Sequence, residues 1–282
     1  MTTAPPVGQP ATFLARLTAS VAEHGPLCVG IDPHPALLEA WGARSSAGAD
    51  AAGLERFGRT VVESAAGRVA VVKPQVALFE AHGSAGFAAL ERVLADARAA
   101  GLLVIADAKR GDIGSTNDGY AAAWLTPGSP LEGDALTVSP YLGVGALDGA
   151  FATAERAGKA LFVLAATSNP EAAALQGARV ADGRTVAAAV ADTVAARNAR
   201  TGAGHGIVVG ATVDRADFGL STDAATPVLA PGFGAQGASL ASLRTLFPDD
   251  ALVLASASRS ILQAGPDGLV AAIDAAGAAL AR

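Results

Sequence analysis

The sequence predicts a single-domain α/β chain folded as a (β/α)8 barrel, and three observations lead there. Eight short apolar runs rich in β-branched residues recur along the 282 residues. Their hydrophobicity is continuous rather than alternating, which suits parallel strands covered on both faces. Between them lie Ala-, Leu-, Glu- and Arg-rich segments with helical spacing, several closing on glycine as helix C-termini do. Eight such alternations with no linker or shift in composition fill one barrel, whereas an open doubly wound sheet usually has fewer strands.

In chain order, residues 1–11 are expected to form a flexible segment and residues 12–282 the barrel domain. The strand runs are "LCVGID" (27–32), "VAVVKPQ" (69–75), "LLVIADAK" (102–109), "ALTVSP" (135–140), "ALFVLAATS" (160–168), "GIVVGAT" (206–212), "PVLAPG" (227–232) and "ALVLASASR" (251–259). The segments "GFAALERVLADARAAG" (86–101) and "TVAAAVADTVAARNARTG" (185–202) read as helices. Two stretches, 42–53 and 125–134, read as surface loops.

Composition narrows the function. The chain is 51% hydrophobic and 16% charged, with net charge −6 and no basic stripe, so nucleic acid is not an expected partner. No run of apolar residues is long enough to span a membrane, and the first 13 residues lack the basic and apolar regions of a secretion signal. A cytoplasmic location is expected. Cys28, the single cysteine, lies in an apolar run and reads as buried filler. Of 20 basic residues only Lys73, Lys109 and Lys159 are lysines, and two of them stand at strand ends. Lysine can release a proton near neutral pH and arginine cannot.

In a barrel the site lies at the C-terminal ends of the strands. Those ends offer Asp32, Lys73, Asp107 with Lys109, Ser139, Ser168, Thr212, the turn "GFGAQG" (232–237) and Arg259. Taken singly, Asp32 before a proline reads equally as a turn residue, and Lys73 at a strand end reads more readily as a solvated one. Together, two aspartates and two lysines on one rim form an alternating charge array, far stronger in a partly dry cavity than in water. The glycine turn follows the seventh strand, so it reads as a phosphate cradle completed by Arg259 rather than as a dinucleotide fingerprint. His24, His34, His82 and His205 lack ligand spacing, and lysines beside Asp32 and Asp107 disfavour a cation, so no metal is expected. His34, near the rim, could face solvent or ligand, with solvent the preferred reading, and His205 is expected to sit at a strand start on the opposite, stabilising face.

The stretch "DAKRGDIGST" (107–116) resembles the D-x-K-x-x-D-I-x-x-T signature of the orotidine 5′-phosphate decarboxylase family. "GIDPHP", "VVKPQ", "TVSPYLG", "ATSNP", "APGFGAQG" and "SASRSI" extend the resemblance over nearly the whole barrel, toward the longer bacterial branch. The resemblance implies cofactor-free conversion of orotidine 5′-monophosphate to UMP and CO2. It implies that Asp107, Lys109 and Asp112 form the acid–base array with Lys73, Lys109 protonating C6 of the pyrimidine. It implies a homodimer in which Asp112, Ile113 and Thr116 reach the neighbouring subunit's site. Asp32 and Lys73 would hold ribose hydroxyls, Ser168 the pyrimidine, Gln236 base and phosphate, and Arg259 phosphate. Arg110 is expected to be a solvated residue at a helix start. Ser258 departs from the glycine common in the family, with a small effect expected on phosphate geometry. The nearest alternative is a magnesium-dependent sugar-phosphate barrel sharing D-x-K-x-x-D, but its second strand ends in an acidic ligand where this chain has Lys73. A non-catalytic phosphate-binding barrel would not need the array.

Overall fold

The computed structural model describes residues 10–43, 51–234, 237–248 and 250–281. Its eight parallel strands close into a barrel in chain order. They are β1 (Leu27–Ile31), β2 (Val71–Pro74), β3 (Leu103–Arg110), β4 (Ala135–Val138), β5 (Ala160–Ala166), β6 (Gly206–Val209), β7 (Val228–Pro231) and β8 (Val253–Ala257). β8 returns to β1 with Cys28 opposite Ser256. Each expected run contains a strand, but most strands stop short of the polar residues that end the runs.

Two apolar clusters hold the barrel. One fills its interior, with Cys28, Val71, Ile105, Phe162, Val208 and Leu254 among its members. The other lies between the strands and the surrounding helices. The helix Phe13–His24 belongs to the interior cluster through Phe13 and Leu17 and so caps one end of the barrel. Its first turn is capped by Thr12 Oγ1, which accepts from Ala15 N, and Phe13 meets Phe162 edge-on at 5.9 Å. Burying a side chain of this size stabilises the fold by about 1.5–3 kcal/mol.

Two expected loops need correction. Residues 51–53 belong to the helix Ala51–Ala65, whose apolar face is set by Leu54, Phe57 and Val61; residues 44–50 lie outside the described residues, as do 1–9 of the expected flexible segment. In 125–134, Leu125 is the buried last residue of the helix Gly114–Leu125, and the loop's acids turn inward. Glu132 pairs with the buried Lys159 at 2.7 Å, and Asp134 pairs with Arg16 at 2.5 Å while accepting from Val104 N. The third lysine is therefore a structural partner below the barrel, not a member of the rim.

His205 precedes β6 and is fully buried. Its Nδ1 accepts from Leu161 N at 3.1 Å, which leaves the proton on Nε2, 3.1 Å from Glu155 Oε1. Burial pushes its pKa down from 6.5 to about 4, against the opposing pull of Glu155. The unfolded chain therefore binds a proton between those values that the folded chain refuses. This contribution to stability is complete above pH 6.5 and is lost as pH falls toward 4, by about 1.4 kcal/mol per unit. Urea unfolding across that range is expected to show a steeper loss for the wild type than for His205→Gln. Equal slopes would refute the assignment.

Candidate active site

A cavity of about 450 Å³ opens where the strands end. β3 sets its chemistry. Ala106 pairs with Leu136, but Arg110 pairs with Val138, so four steps along β3 oppose two along β4. The surplus residues bulge out of the ladder between Asp107 and Lys109. Lys109 takes φ +47°, the single non-glycine positive φ among the described residues. That conformation costs roughly 1–3 kcal/mol and persists only where surrounding contacts enforce it.

The bulge places Asp107 between two ammonium groups. Its Oδ2 lies 2.8 Å from Lys73 Nζ and its Oδ1 2.5 Å from Lys109 Nζ. Thr137 of β4 donates its hydroxyl to the same Oδ1 at 3.0 Å. Burial alone would raise the Asp107 carboxyl, but Lys73 and then Lys109 reverse this and hold it well below the usual carboxylate range. Burial would likewise lower Lys73; Asp107 and Asp32 overcome it and raise the ammonium above its ordinary value. Both groups are thus fixed in their charged forms at neutral pH, inside a wall of Leu164, Val208 and Leu229. Beneath them burial pushes the Cys28 thiol up to about 12, so it stays neutral, as its place in an apolar run predicts.

β1 and β8 bring the other polar groups to the mouth. A Cβ on Gly30 would sit 2.5 Å from Ser258 Cβ, so only glycine allows these strand ends to approach so closely. Asp32, at the end of β1, has a buried Oδ1 with no hydrogen-bond partner among the described residues. A buried carboxylate oxygen left this way is costly, and a ligand hydroxyl would satisfy it. Gly232, Phe233 and Arg259 close the far wall, and Gly234, at φ +78°, packs against Ser260 with no room for a side chain.

The structure thus brings together Asp32, Lys73, Asp107, Lys109 and Arg259. Asp112, Ile113 and Thr116 are not on this cavity's wall: they lie at the start of the helix Gly114–Leu125, with Ile113 61% exposed. Ser168 is exposed beyond β5, and Gln236 lies outside the described residues. Ser139 and Thr212 line separate depressions. Two expectations change. His34 lines the cavity instead of facing solvent, because the turn after Asp32 carries it back over the mouth. Arg110 is the last residue of β3, half-buried, paired with Glu80 at 3.1 Å and lying over the Tyr120 ring. Thr137, Gln75 and Ser256 escape sequence reading; a lone threonine in "ALTVSP" looks like an ordinary β-branched strand residue. Among the described residues, no group of three or more His, Cys, Asp or Glu is placed to hold a metal ion.

Comparison with known proteins bears on this geometry. Residues 25–274 match the model of the orotidine 5′-phosphate decarboxylase / HUMPS family. An orotidine 5′-phosphate decarboxylase of Salinispora tropica is 56% identical over 259 residues, covering 91% of each chain. One of Streptomyces coelicolor is 52% identical over 260 residues, covering 90% of this chain and 91% of its own. A crystal structure from Streptomyces avermitilis is 47% identical with TM-score 0.90, covering 99% of this chain and 98% of its own.

Proposed function

This chain belongs to the orotidine 5′-phosphate decarboxylase / HUMPS family and has the activity of its relatives, decarboxylation of orotidine 5′-phosphate in pyrimidine biosynthesis; from the rim geometry we propose how it acts. The observation that supports the reading is Asp107 clamped between Lys73 and Lys109 at the base of a cavity with apolar walls.

The C6–carboxyl bond breaks, CO2 departs, and the bond's electron pair stays on C6 with no ring position able to absorb it. The Lys109 ammonium stands beside that developing charge and stabilises it without rearranging solvent. It then delivers a proton to C6 and is reprotonated from water. An arginine could supply the charge but not the proton. Asp107 aims Lys109, while Lys73 keeps Asp107 ionised. The Asp32 Oδ1 without a partner accepts from a ribose hydroxyl, with Lys73 donating nearby. Arg259 and the glycine turn grip the phosphate, and that remote contact fixes C6 against Lys109. Ser168 and Gln236 complete the pyrimidine and phosphate contacts, in a reaction that needs no cofactor. The cytoplasm is the proposed location.

A homodimer is part of this reading. The segment 111–113 runs beside 139–142, Ser139 N donating to Arg110 O at 2.8 Å. Together they expose Ile113, Tyr141 and Leu142, at 61%, 76% and 53%. Such an apolar patch fits a face covered by a second copy, with Asp112, Ile113 and Thr116 entering that copy's cavity.

The test is loss of orotidine 5′-phosphate absorbance with purified protein, with and without EDTA. Rapid loss unaffected by EDTA is expected. Loss that disappears with EDTA and returns with magnesium would overturn the cofactor-free mechanism.

A further inference from the structure

We propose that Thr137 is a positioning residue whose single hydroxyl holds the strained backbone of Lys109 and aims Asp107 at the same time. The inference rests on the reading of Lys109 as proton donor.

Thr137 lies on β4, opposite the β3 bulge, and is 1% exposed. The surplus residues of the bulge leave Lys109 N without the backbone partner that a regular ladder would give it. Thr137 Oγ1 takes that place, accepting from Lys109 N at 2.9 Å. A hydroxyl has one hydrogen to donate, and this one points to Asp107 Oδ1 at 3.0 Å. Lys109 Nζ meets the same Oδ1. One oxygen therefore closes a ring running from the Lys109 amide through Thr137 and Asp107 to the Lys109 ammonium. The left-handed φ of Lys109 is what bends its side chain back onto Asp107, and nothing within a lysine favours that conformation. Removing the hydroxyl leaves the part-buried Lys109 amide without this acceptor and lets the bulge relax toward ordinary strand geometry. Lys109 would remain in the site but lose its aim. Valine matches threonine in shape and branching, so it removes the hydroxyl while preserving the packing of β4.

The experiment compares Thr137→Val with Thr137→Ser in the full-length protein, reading kcat, KM, thermal unfolding and hydrogen exchange at the Lys109 amide. For Thr137→Val a roughly ten- to hundredfold fall in kcat is expected, with KM within about threefold and the Lys109 amide losing protection. Thr137→Ser is expected to restore kcat to within about threefold of wild type. A valine variant keeping more than about half the wild-type kcat, or losing only in KM, would overturn the proposal, as would a serine variant as slow as valine. Should valine prevent folding, Thr137→Ala read against Thr137→Ser gives the same comparison. Lys109→Ala in parallel separates the two readings. An inactive Lys109→Ala beside a fully active Thr137→Val refutes positioning alone; an active Lys109→Ala refutes the proton-donor reading itself.

Discussion

Lys109→Ala is expected to abolish turnover while leaving the barrel folded and nucleotide binding largely intact. On the proposed mechanism two effects are lost together: the cation beside C6 and the proton that follows CO2. Each is commonly worth a factor of 10² or more, so a combined loss of at least about 10⁴, or roughly 5.5 kcal/mol of barrier, is expected. The fold should tolerate the change because the Lys109 side chain is 45% exposed and Asp107 retains Lys73 at 2.8 Å and Thr137 at 3.0 Å. Binding should survive because the proposed phosphate and ribose contacts lie at the ends of β1, β2, β7 and β8. Steady-state rates with circular dichroism and titration of UMP would check all three statements. A residual rate above about a tenth of wild type, roughly 1.4 kcal/mol, would remove Lys109 from the assigned role.

The second large effect is complementation. If Asp112 acts in the neighbouring subunit's site, Lys109→Ala and Asp112→Ala homodimers are each inactive, yet a hybrid assembles one intact site from the two undamaged halves. Random exchange makes about half the dimers hybrid, with one working site in two, so activity should rise from near zero to about a quarter of wild type. Asp112 is well suited to this, since its own cavity does not include it and its Oδ1 accepts from Ile113 N at 2.8 Å, just before the exposed first turn of the helix Gly114–Leu125. Activity that stays near zero after subunit exchange has been verified would mean that Asp112 serves its own chain.

Much of this protein is legible without coordinates. A strand buried on both faces must be apolar throughout, so eight such runs mark the barrel. Barrel closure exposes strand ends at one mouth, so polar residues there stand out against an apolar background. Lys73, Asp107 and Lys109 were visible for that reason, and scarcity of lysine sharpened the signal. Thr137 was not visible, because threonine is a common strand former and its partner, a backbone amide freed by a bulge, has no side-chain signature. Arg110 was misread because its partners, Glu80 and Tyr120, come from other segments of the chain. His34 was misread because the turn that follows Asp32 decides which way it faces.

By itself, then, the sequence determined the architecture and marked Asp32, Lys73, Asp107, Lys109 and Arg259 at the strand ends that line the cavity. Local composition suffices for this, since burial and periodicity act over a few neighbouring residues. Only the tertiary structure decided how the groups are joined: Asp107 between two ammoniums, Lys109 bent into a left-handed turn, Asp32 left with an oxygen to satisfy. Those outcomes depend on register between β3 and β4 and on closure of β8 against β1, long-range contacts that fix distances to fractions of an ångström. At the edge of an apolar interior, such distances separate a paired charge from an unpaired one and so set which groups remain ionised for the reaction.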